Sequence, residues 1–469
     1  MLLPKRSSLT RWVRFLLNHS PMTTQVFSAD WVVPIASTPI RDGAVAIEGD
    51  RIVFVGSQAE LETRMEFAEA RKLRLGRAAI LPGFVNTHGH LELTVMRGFL
   101  EDLPFRDWIQ KLTRVKYEQL TGDDLGASSL LGAAEAIRAG ITTIADTGDT
   151  DSAFRALLES GLRGIAYREV FGPDPVDAAK SLDSLKFSVE EMRARMSSKV
   201  RVGVSPHAPY TVSGDLLRRV TEYAQQESLD VCIHTAESEA EQQMMLAGEG
   251  EFADGLRGRG IAWQAPGVST IKYFDSIGVL ETAPLLVHCV RADAGDVELL
   301  ASSGSRVAHC PKSNGKLGHG IAPLRDMLDA GVTVGLGTDS VASNNRIDLI
   351  DEARFCGLIH RAESRDFRWP TADRLLSLVT LDAARALRLD GEIGSLEAGK
   401  QADLVAIDLS RTHSTPVHDP GAAIVFSAEA GDVLLTVVGG RVLFERGELK
   451  SLDEPALKDA VNRALTRMN

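Results

Sequence analysis

The stretch LPGFVNTHGHLEL, residues 81–93, decides the fold: an apolar run ends in two histidines that are one residue apart. In a β-strand, residues i and i+2 point to the same side, so His88 and His90 direct both imidazoles toward one point. A sheet can present two nitrogen ligands to a metal ion in this way. The alternative, two incidental polar residues, needs no further histidines or acids at other strand ends.

Seven more strand-like runs follow, separated by stretches with the apolar spacing of helices, such as residues 123–139 and 214–228. The runs are GITTIADTGD (140–149), RGIAYREVFG (163–172), VRVGVSPHAPY (200–210), DVCIHTAES (230–238), PLLVHCV (284–290), SRVAHCPKSN (305–314) and VTVGLGTDS (332–340). Repeated βα units predict a parallel sheet. Eight of them predict an α/β fold of the (β/α)8 TIM-barrel type, with the active site at the carboxyl ends of the strands.

Those carboxyl ends carry a common set of polar residues. They are His88 and His90 on the first strand, His207 on the fourth, His234 and Glu237 on the fifth, His288 on the sixth, His309 on the seventh and Asp339 on the eighth. Buried neutral histidines of a core would scatter along the chain instead. Three imidazoles and a carboxylate around one divalent ion leave a position for water, which is typical of a catalytic centre.

The two ends of the chain have a different pattern. Residues 24–80 and 402–449 contain short alternating runs with tight-turn signals such as Gly439-Gly440, which predict antiparallel strands. We expect the two segments to pair into one small β-sandwich domain. The predicted division is a dispensable extension over 1–21, the sandwich over 22–80 and 391–450, the barrel over 81–390 and a C-terminal helix over 451–469.

Composition limits the classes of function. The chain has 469 residues and a formal net charge of −12, which argues against a nucleic-acid partner and favours a small-molecule substrate. No apolar run reaches 18 residues, so no membrane span is expected. Arg14 interrupts the N-terminal apolar stretch, which argues against a secretory signal. The four cysteines show no paired spacing and favour a reducing, cytoplasmic setting. Homo-oligomerisation is left open.

Taken together, six segments of the chain resemble the amidohydrolase superfamily, in its deaminase and chlorohydrolase-like branch. They are PGFVNTHGHLELTVMRG, SPHAPYTVS, HTAESEAE, VHCV, CPKSN and GLGTDS. The resemblance covers about residues 22–450. It implies metal ligands at His88, His90, His234 and Asp339. It also implies that Glu237 is a proton shuttle, that His288 contacts the metal-bound water together with Asp339, and that His207 contacts substrate.

The resemblance also bears on the number of metal ions. Relatives with two metals bridge them with a carboxylated lysine on the fourth strand, and residues 200–210 contain no lysine. One divalent ion is therefore expected. Zinc suits three nitrogens and one oxygen, although ferrous iron occupies similar sites.

The expected reaction is hydrolytic release of ammonia from an aminated purine nucleoside or related N-heterocycle. Dechlorination of a triazine and opening of a cyclic amide are alternatives in the same site, and a non-catalytic scaffold is a remote one. His309 is expected to be structural. Surface positions are expected for His19, His360, His413 and His418.

For the substrate, HLEL, the insertion over residues 240–269 and CPKSN resemble the aminodeoxyfutalosine deaminases of menaquinone biosynthesis. The adenosine-type deaminases of the branch grip ribose with a glutamate, and here that position falls near Tyr117. Adenosine and S-adenosylhomocysteine are therefore less favoured, and guanine- or cytosine-type substrates stay open. A buried benzoate needs a cation, for which Arg168, Lys312 and Arg97 are candidates. Trp263 is the candidate to cover an aromatic ring.

Overall fold

The computed structural model describes residues 12–13 and 24–468. Its strands are β1 (Gln25–Val32), β2 (Ile40–Glu48), β3 (Arg51–Ser57), β4 (Arg71–Pro82), β5 (Phe84–Gly89), β6 (Ile141–Gly148), β7 (Arg163–Val170), β8 (Val200–Pro206), β9 (Cys232–Thr235), β10 (Leu285–His288), β11 (Arg306–His309), β12 (Thr333–Leu336), β13 (Leu404–Asp408), β14 (Val433–Val438), β15 (Arg441–Glu445) and β16 (Glu448–Leu449).

Helices fill most of the intervals between these strands. They are α1 (Gln58–Glu62), α2 (Phe105–Glu118), α3 (Gly122–Arg138), α4 (Ser152–Ser160), α5 (Ala178–Arg193), α6 (Gly214–Glu227), α7 (Glu239–Ala247), α8 (Gly250–Gly258), α9 (Thr270–Ser276), α10 (Ala294–Ser303), α11 (Pro311–Lys316), α12 (Leu324–Asp329), α13 (Val341–Asn344), α14 (Leu349–Ser364), α15 (Ala372–Leu378), α16 (Leu381–Ala386), α17 (Pro420–Phe426) and α18 (Glu454–Met468).

The central strands form two parallel four-stranded sheets, ordered β5-β6-β7-β8 and β9-β10-β11-β12. Isolated parallel bridges connect the sheets at both sides, Val204 to Val231 on one side and Gly89 to Asp339 on the other. The eight predicted strand segments all contain strands, and helices alternate with them. The predicted α/β class with parallel strands is confirmed.

Strands from the two ends of the chain form one mixed eight-stranded sheet, ordered β16-β15-β14-β13-β4-β1-β2-β3. At its centre β13 pairs antiparallel with β4, which places Leu404 opposite Pro82 and Asp408 opposite Ala78. Its core contains Phe27, Ile47 and Leu435, all at most 1% exposed. The chain passes directly from this sheet into the parallel sheets, because β4 ends at Pro82 and β5 begins at Phe84.

Alternation along each parallel strand determines which side chains reach the interior. Ile165 and Tyr167 on β7 pack in one cluster with Ala308 and Cys310, which flank His309 on β11. Val307 instead joins the cluster formed with the surrounding helices. Since successive side chains point to opposite faces, His309 points toward the helices as well.

The four histidines expected at the surface have different outcomes. His360 was expected at the surface, but it is 3% exposed, because α14 packs it against His309. This expectation was wrong. His418 is exposed, the His413 side chain is 45% exposed beside Asp432, and His19 lies outside the described residues.

Trp12, within the predicted dispensable extension, is 4% exposed, and its carbonyl oxygen accepts a hydrogen bond from the Asp453 N–H. This contact weighs against dispensability, which stays a prediction. All four cysteines are buried and unpaired. Among the described residues, no helix is both long enough and apolar enough to cross a bilayer.

Candidate metal centre and active site

Three histidines converge at the carboxyl ends of β5 and β9. One ring nitrogen from each of His88, His90 and His234 lies within 4.8 Å of the others. Asp339 follows β12 and adds a carboxylate: its Oδ1 is 3.5 Å from His88 Nε2 and 3.4 Å from His90 Nε2. The structure therefore brings together the four residues predicted as metal ligands.

Hydrogen bonds from the backbone set the direction of two of these rings. The Nδ1 of His90 lies 2.9 Å from the Thr147 carbonyl oxygen, and the Nδ1 of His234 lies 3.0 Å from the His207 carbonyl oxygen. A carbonyl oxygen only accepts, so each Nδ1 carries the proton and each Nε2 keeps its lone pair. Such an arrangement orients an imidazole for metal binding.

The Asp339 carboxylate is held from behind. The hydroxyl groups of Ser313 and Ser343 donate to its Oδ2 at 2.6 and 3.0 Å, which leaves Oδ1 facing the histidines. Gly337 allows the close approach of this segment, because a Cβ there would lie 2.8 Å from the His88 backbone nitrogen. The carboxylate therefore has a fixed direction before any ligand binds.

The donor set fits a divalent metal ion. Both ring nitrogens of His88 are buried without a hydrogen bond, which is costly unless a ligand compensates. Burial lowers the pKa of His88 to about 4, of His90 to about 3 and of His234 to about 4. The three rings are therefore neutral near pH 7, as metal ligands must be.

Glu237 lies beside this cluster on the loop after β9. Its Oε1 is 3.5 Å from His288 Nε2 and 3.4 Å from His319 Nε2, while the Tyr210 hydroxyl donates to Oε2 at 3.5 Å. Burial raises the pKa of Glu237, but the positive potential of His288 and His319 outweighs it and lowers the value to about 2. The carboxylate is therefore ionised at neutral pH, which a proton acceptor requires.

A second glutamate fixes the loop that carries Glu237. The Glu241 carboxylate accepts hydrogen bonds from the Ala236 N–H at 2.7 Å and the Glu237 N–H at 3.0 Å. Ala236 has a φ of 49°, a left-handed conformation that these bonds hold. Burial raises the pKa of Glu241 to about 7.

The two remaining predicted histidines also reach the site. The His288 Nδ1 lies 2.9 Å from the Asn314 side-chain oxygen, which leaves Nε2 directed at Glu237. The His207 Nδ1 lies 2.8 Å from the Thr211 hydroxyl, and its ring lies beside the open space in front of His234.

That open space is a cavity of about 730 Å³, a size suited to a nucleoside-sized molecule. Part of its wall is aromatic: Phe252 stacks on Tyr210 with ring centroids 4.2 Å apart, and Phe105 meets Phe252 edge-on at 6.0 Å. Two arginines on its rim, Arg106 and Arg259, are exposed. Within the described residues, no carboxylate forms an ion pair with either of them.

Some of the residues predicted to bind substrate line this cavity, and others do not. Tyr117 lines the cavity, and its hydroxyl donates to Asp149 Oδ2 at 2.5 Å. Lys312 does not line it, because its Nζ pairs with Asp351 at 2.6 Å. Arg168 borders a separate groove beside Asp149.

Two more of these candidates lie away from the cavity. Arg97 pairs with Glu135. Trp263 does not line the cavity: it packs against the cluster that contains Tyr210 and Met244, and it donates to the Met244 carbonyl oxygen. The aromatic residue of its insertion that lines the cavity is therefore Phe252.

Sequence reasoning missed Glu169 and His319. Glu169 lines the cavity, and the strand period could have found it, because Ile165 and Tyr167 on the same face of β7 point inward. Arg168 is one residue away on the other face. His319 had no such signal, since it lies in the loop after α11.

Comparisons with known proteins identify the family of the chain. The profile of the Amidohydrolase family matches residues 79–443. The 5-methylthioadenosine/S-adenosylhomocysteine deaminase of Pelotomaculum thermopropionicum is 33% identical over 431 residues, covering 92% of this chain and 95% of that protein.

Solved structures of similar fold include two deaminases. An adenosine deaminase from Xanthomonas campestris with bound zinc has a TM-score of 0.84 at 29% identity, covering 96% of this chain and 99% of that one. The Helicobacter pylori aminofutalosine deaminase has a TM-score of 0.76 at 20% identity, covering 90% of this chain and 100% of that one, and shows the fold alone. With the profile match and the identity over nearly the whole chain, the predicted resemblance is confirmed: the chain belongs to the amidohydrolase family and is a hydrolase of carbon–nitrogen bonds other than peptide bonds.

Proposed function

We propose that this protein is a metal-dependent deaminase that hydrolyses the exocyclic amino group of a 6-aminopurine nucleoside and releases ammonia. The observation that carries the proposal is the position of the ionised Glu237 carboxylate beside four converging metal-type ligands, at the inner end of a nucleoside-sized aromatic cavity. The names of its relatives, which are 5-methylthioadenosine/S-adenosylhomocysteine and adenosine deaminases, support this substrate class.

The proposal includes one zinc ion per chain, held by His88, His90, His234 and Asp339. When bound, such an ion lowers the pKa of a coordinated water to roughly 7 and so supplies a nucleophile at neutral pH. The described part of β8 contains no lysine that could bridge a second ion. We also infer that the eight parallel strands close into one barrel and that the terminal strands form its companion sandwich. The bridges at both seams of the parallel sheets support the closure.

Glu237 performs the proton transfers in this proposal. It accepts one proton of the water as the water oxygen adds to the ring carbon, and it passes this proton to the neighbouring ring nitrogen. The second proton of the water, lost from the new hydroxyl group as that group becomes a carbonyl, is transferred to the amino group; the carbon–nitrogen bond breaks and ammonia leaves. His288 Nε2, directed at Glu237 by the Asn314 contact, faces the same point and hydrogen-bonds the water. His207 faces the substrate ring.

The cavity rim favours a nucleoside with an anionic 5′ substituent. Within the described part of the chain, Arg106 and Arg259 pair with no carboxylate, and they line the same cavity as Phe105, Phe252 and the metal ligands His90 and His234. An aryl carboxylate such as that of 6-amino-6-deoxyfutalosine matches an aromatic wall with cations at its outer end. This is the second candidate substrate, and it would place the protein in menaquinone biosynthesis.

The decisive experiment measures ammonia release by zinc-reconstituted protein. The panel contains adenosine, 5′-methylthioadenosine, S-adenosylhomocysteine, 6-amino-6-deoxyfutalosine, guanine, cytosine and a chlorinated triazine. We expect turnover of the 6-aminopurine nucleosides only. Chloride release from the triazine with no ammonia from any nucleoside would replace the proposal with the chlorohydrolase alternative, and inertness toward the whole panel would favour the scaffold.

The same panel separates the candidate nucleosides by charge. Arg106→Gln combined with Arg259→Gln should raise KM for 6-amino-6-deoxyfutalosine by about 10-fold or more and leave KM for the neutral 5′-methylthioadenosine unchanged. Arg155→Gln, outside the cavity on α4, is the matched control. Equal effects on both substrates would remove the rim arginines from recognition and leave the deaminase assignment in place.

A further inference from the structure

His319 is a buried imidazole beside Glu237 to which the proposed reaction assigns no role. It lies in the loop after α11, is 8% exposed, and does not line the cavity. Its Nε2 lies 3.4 Å from Glu237 Oε1, and within the described residues this nitrogen has no aligned hydrogen bond. A buried nitrogen of this kind is costly unless it is satisfied, and contacts between catalytic groups often tighten during turnover.

The position of the His319 ring is fixed from two sides. Its backbone N–H donates to the Asn314 carbonyl oxygen at 2.9 Å, and its ring meets Phe105 of α2 edge-on with centroids 4.5 Å apart. The side-chain oxygen of the same Asn314 lies 2.9 Å from His288 Nδ1. One residue of α11 therefore places two imidazoles against a single carboxylate, that of Glu237.

The two imidazoles contact Glu237 from different places. Both Nε2 atoms approach Oε1, but His288 lines the cavity and His319 does not. The Tyr210 hydroxyl approaches the other oxygen, Oε2. Since an ionised carboxylate only accepts hydrogen bonds, the Nε2 of His319 is the donor in this contact. His288 can thus meet water as well, whereas His319 reaches the reaction through Glu237.

We propose that His319 is a positioning residue for the proton transfers, in which its Nε2–H restrains the Glu237 carboxylate between the attacking water and the ring nitrogen of the substrate. The inference deepens the proposed function and rests on it. Glu237 must accept a proton at one of these points and deliver it at the other, so its freedom to turn has to be limited without blocking the substrate. A donor outside the cavity meets that need, because it holds the carboxylate from the side that the substrate does not occupy.

The first test removes the donor and then restores it. His319→Phe keeps a ring that can pack against Phe105 but has no N–H, and it should lower kcat for the best nucleoside of the panel by about 10- to 100-fold, the size of a lost hydrogen bond to a charged group. KM should stay within about twofold, because His319 does not line the cavity. His319→Gln carries an amide N–H and should recover part of the lost kcat. A rise in KM with kcat unchanged would show a substrate contact instead and overturn the inference.

A double-mutant cycle with Glu237→Gln decides whether His319 acts through Glu237. If it does, adding His319→Phe to Glu237→Gln should leave the residual kcat within about twofold, since the amide cannot accept the proton. A structural role predicts the opposite: the second substitution then lowers kcat by the same factor in both backgrounds. That outcome, or an unchanged kcat in His319→Phe, would overturn the inference while the deaminase assignment stands.

Two controls separate this role from damage to the fold. His360→Phe removes another buried imidazole, 3% exposed and outside the cavity, and should change neither kcat nor KM. Metal content and melting temperature are measured for every variant with zinc-loaded protein, and if His319→Phe fails to fold, His319→Ala takes its place in the same cycle. Absence of turnover of every nucleoside by the wild type would instead end the proposed function, and this inference with it.

Discussion

Two of the groups of three metal-type ligands among the described residues have different surroundings. The open cluster, His88, His90 and His234, faces the cavity and is joined by Asp339. The sealed cluster, His309, Cys356 and His360, lies between β11 and α14. Its members also lie within 4.8 Å of one another, yet none of them lines the main cavity.

The difference shows that close ligands do not by themselves make a metal centre. In the sealed cluster the two Nε2 atoms are 3.4 Å apart and bond to each other, and burial raises the pKa of the Cys356 thiol. In the open cluster the backbone occupies Nδ1 of two rings and leaves the Nε2 lone pairs free. We therefore expect catalysis from the first cluster and only packing from the second.

Removing a ligand from the open cluster should have the largest effect. His234→Ala should abolish metal binding and lower turnover by about 10³-fold or more, because the ion supplies several kcal/mol of stabilisation. Elemental analysis of the wild type should give one equivalent per chain. Full activity in the variant would show that the open cluster is not the catalytic metal site. Two equivalents of metal per chain in active wild type would contradict the single-ion assignment.

Glu237→Gln should separate proton transfer from metal binding within the open cluster. The amide keeps the shape of the side chain but cannot accept a proton, so turnover should fall by about 10²-fold or more. Metal content and melting temperature should match the wild type. A variant of normal activity would exclude Glu237 as the shuttle.

Cys356→Ala should give the opposite result in the sealed cluster. A small cavity in the packed interior should lower the free energy of unfolding by about 1–2 kcal/mol. Turnover and metal content per chain should stay unchanged. Loss of one metal equivalent in this variant would show that the sealed cluster is a metal site after all.

The sealed cluster should also contribute to acid sensitivity. Burial lowers the pKa of His360 to about 4 in the fold, whereas in the unfolded chain it stays near 6.5, so the unfolded chain binds more protons between these values. Stability therefore falls as pH drops from about 6.5 to 4, by at most about 1.4 kcal/mol per pH unit for this group. Denaturant titrations should show a shallower pH dependence for His360→Gln, and an identical slope would assign the effect to other groups.

The smallest effect is expected at the N-terminus, which supplies no residue to either cluster. A chain begun at Met22 should keep its activity and metal content and lose at most a few degrees in melting temperature, through the missing Trp12 contact. Activity assays and thermal melts on the two lengths of chain test this. A large loss of either property would show that residues 1–21 are not dispensable.

The open cluster could be predicted from the sequence because its ligands follow apolar strands directly. A strand that ends in His-x-His fixes two ligands by its period alone, and parallel topology brings the other ends to the same edge. The sealed cluster could not be predicted from the sequence, since Cys356 and His360 lie on a helix whose buried face depends on packing.

The substrate-facing residues were the least predictable. Alternation along β7 distinguishes Glu169 from Arg168, but only once the inward face is known. The insertion over residues 240–269 offers several aromatic and apolar side chains, and tertiary packing directs Phe252 to the cavity and Trp263 behind it. Roles in loops depend on contacts that local patterns do not contain.

The pairing of β4 with β13 has a consequence for the order in which the protein can be made. On the ribosome, residues 78–82 emerge long before their partners at 404–408, so β4 keeps an unpaired edge while all the parallel strands are synthesised. The Arg163 side chain is 3% exposed and pairs with Asp403 at 2.8 Å, so it likewise lacks this partner until Asp403 has been synthesised. Nascent chains stalled before residue 403 should therefore be dependent on chaperones. The sheet that the N-terminal strands begin is completed only when the C-terminal strands pair with it, which is the last step of maturation.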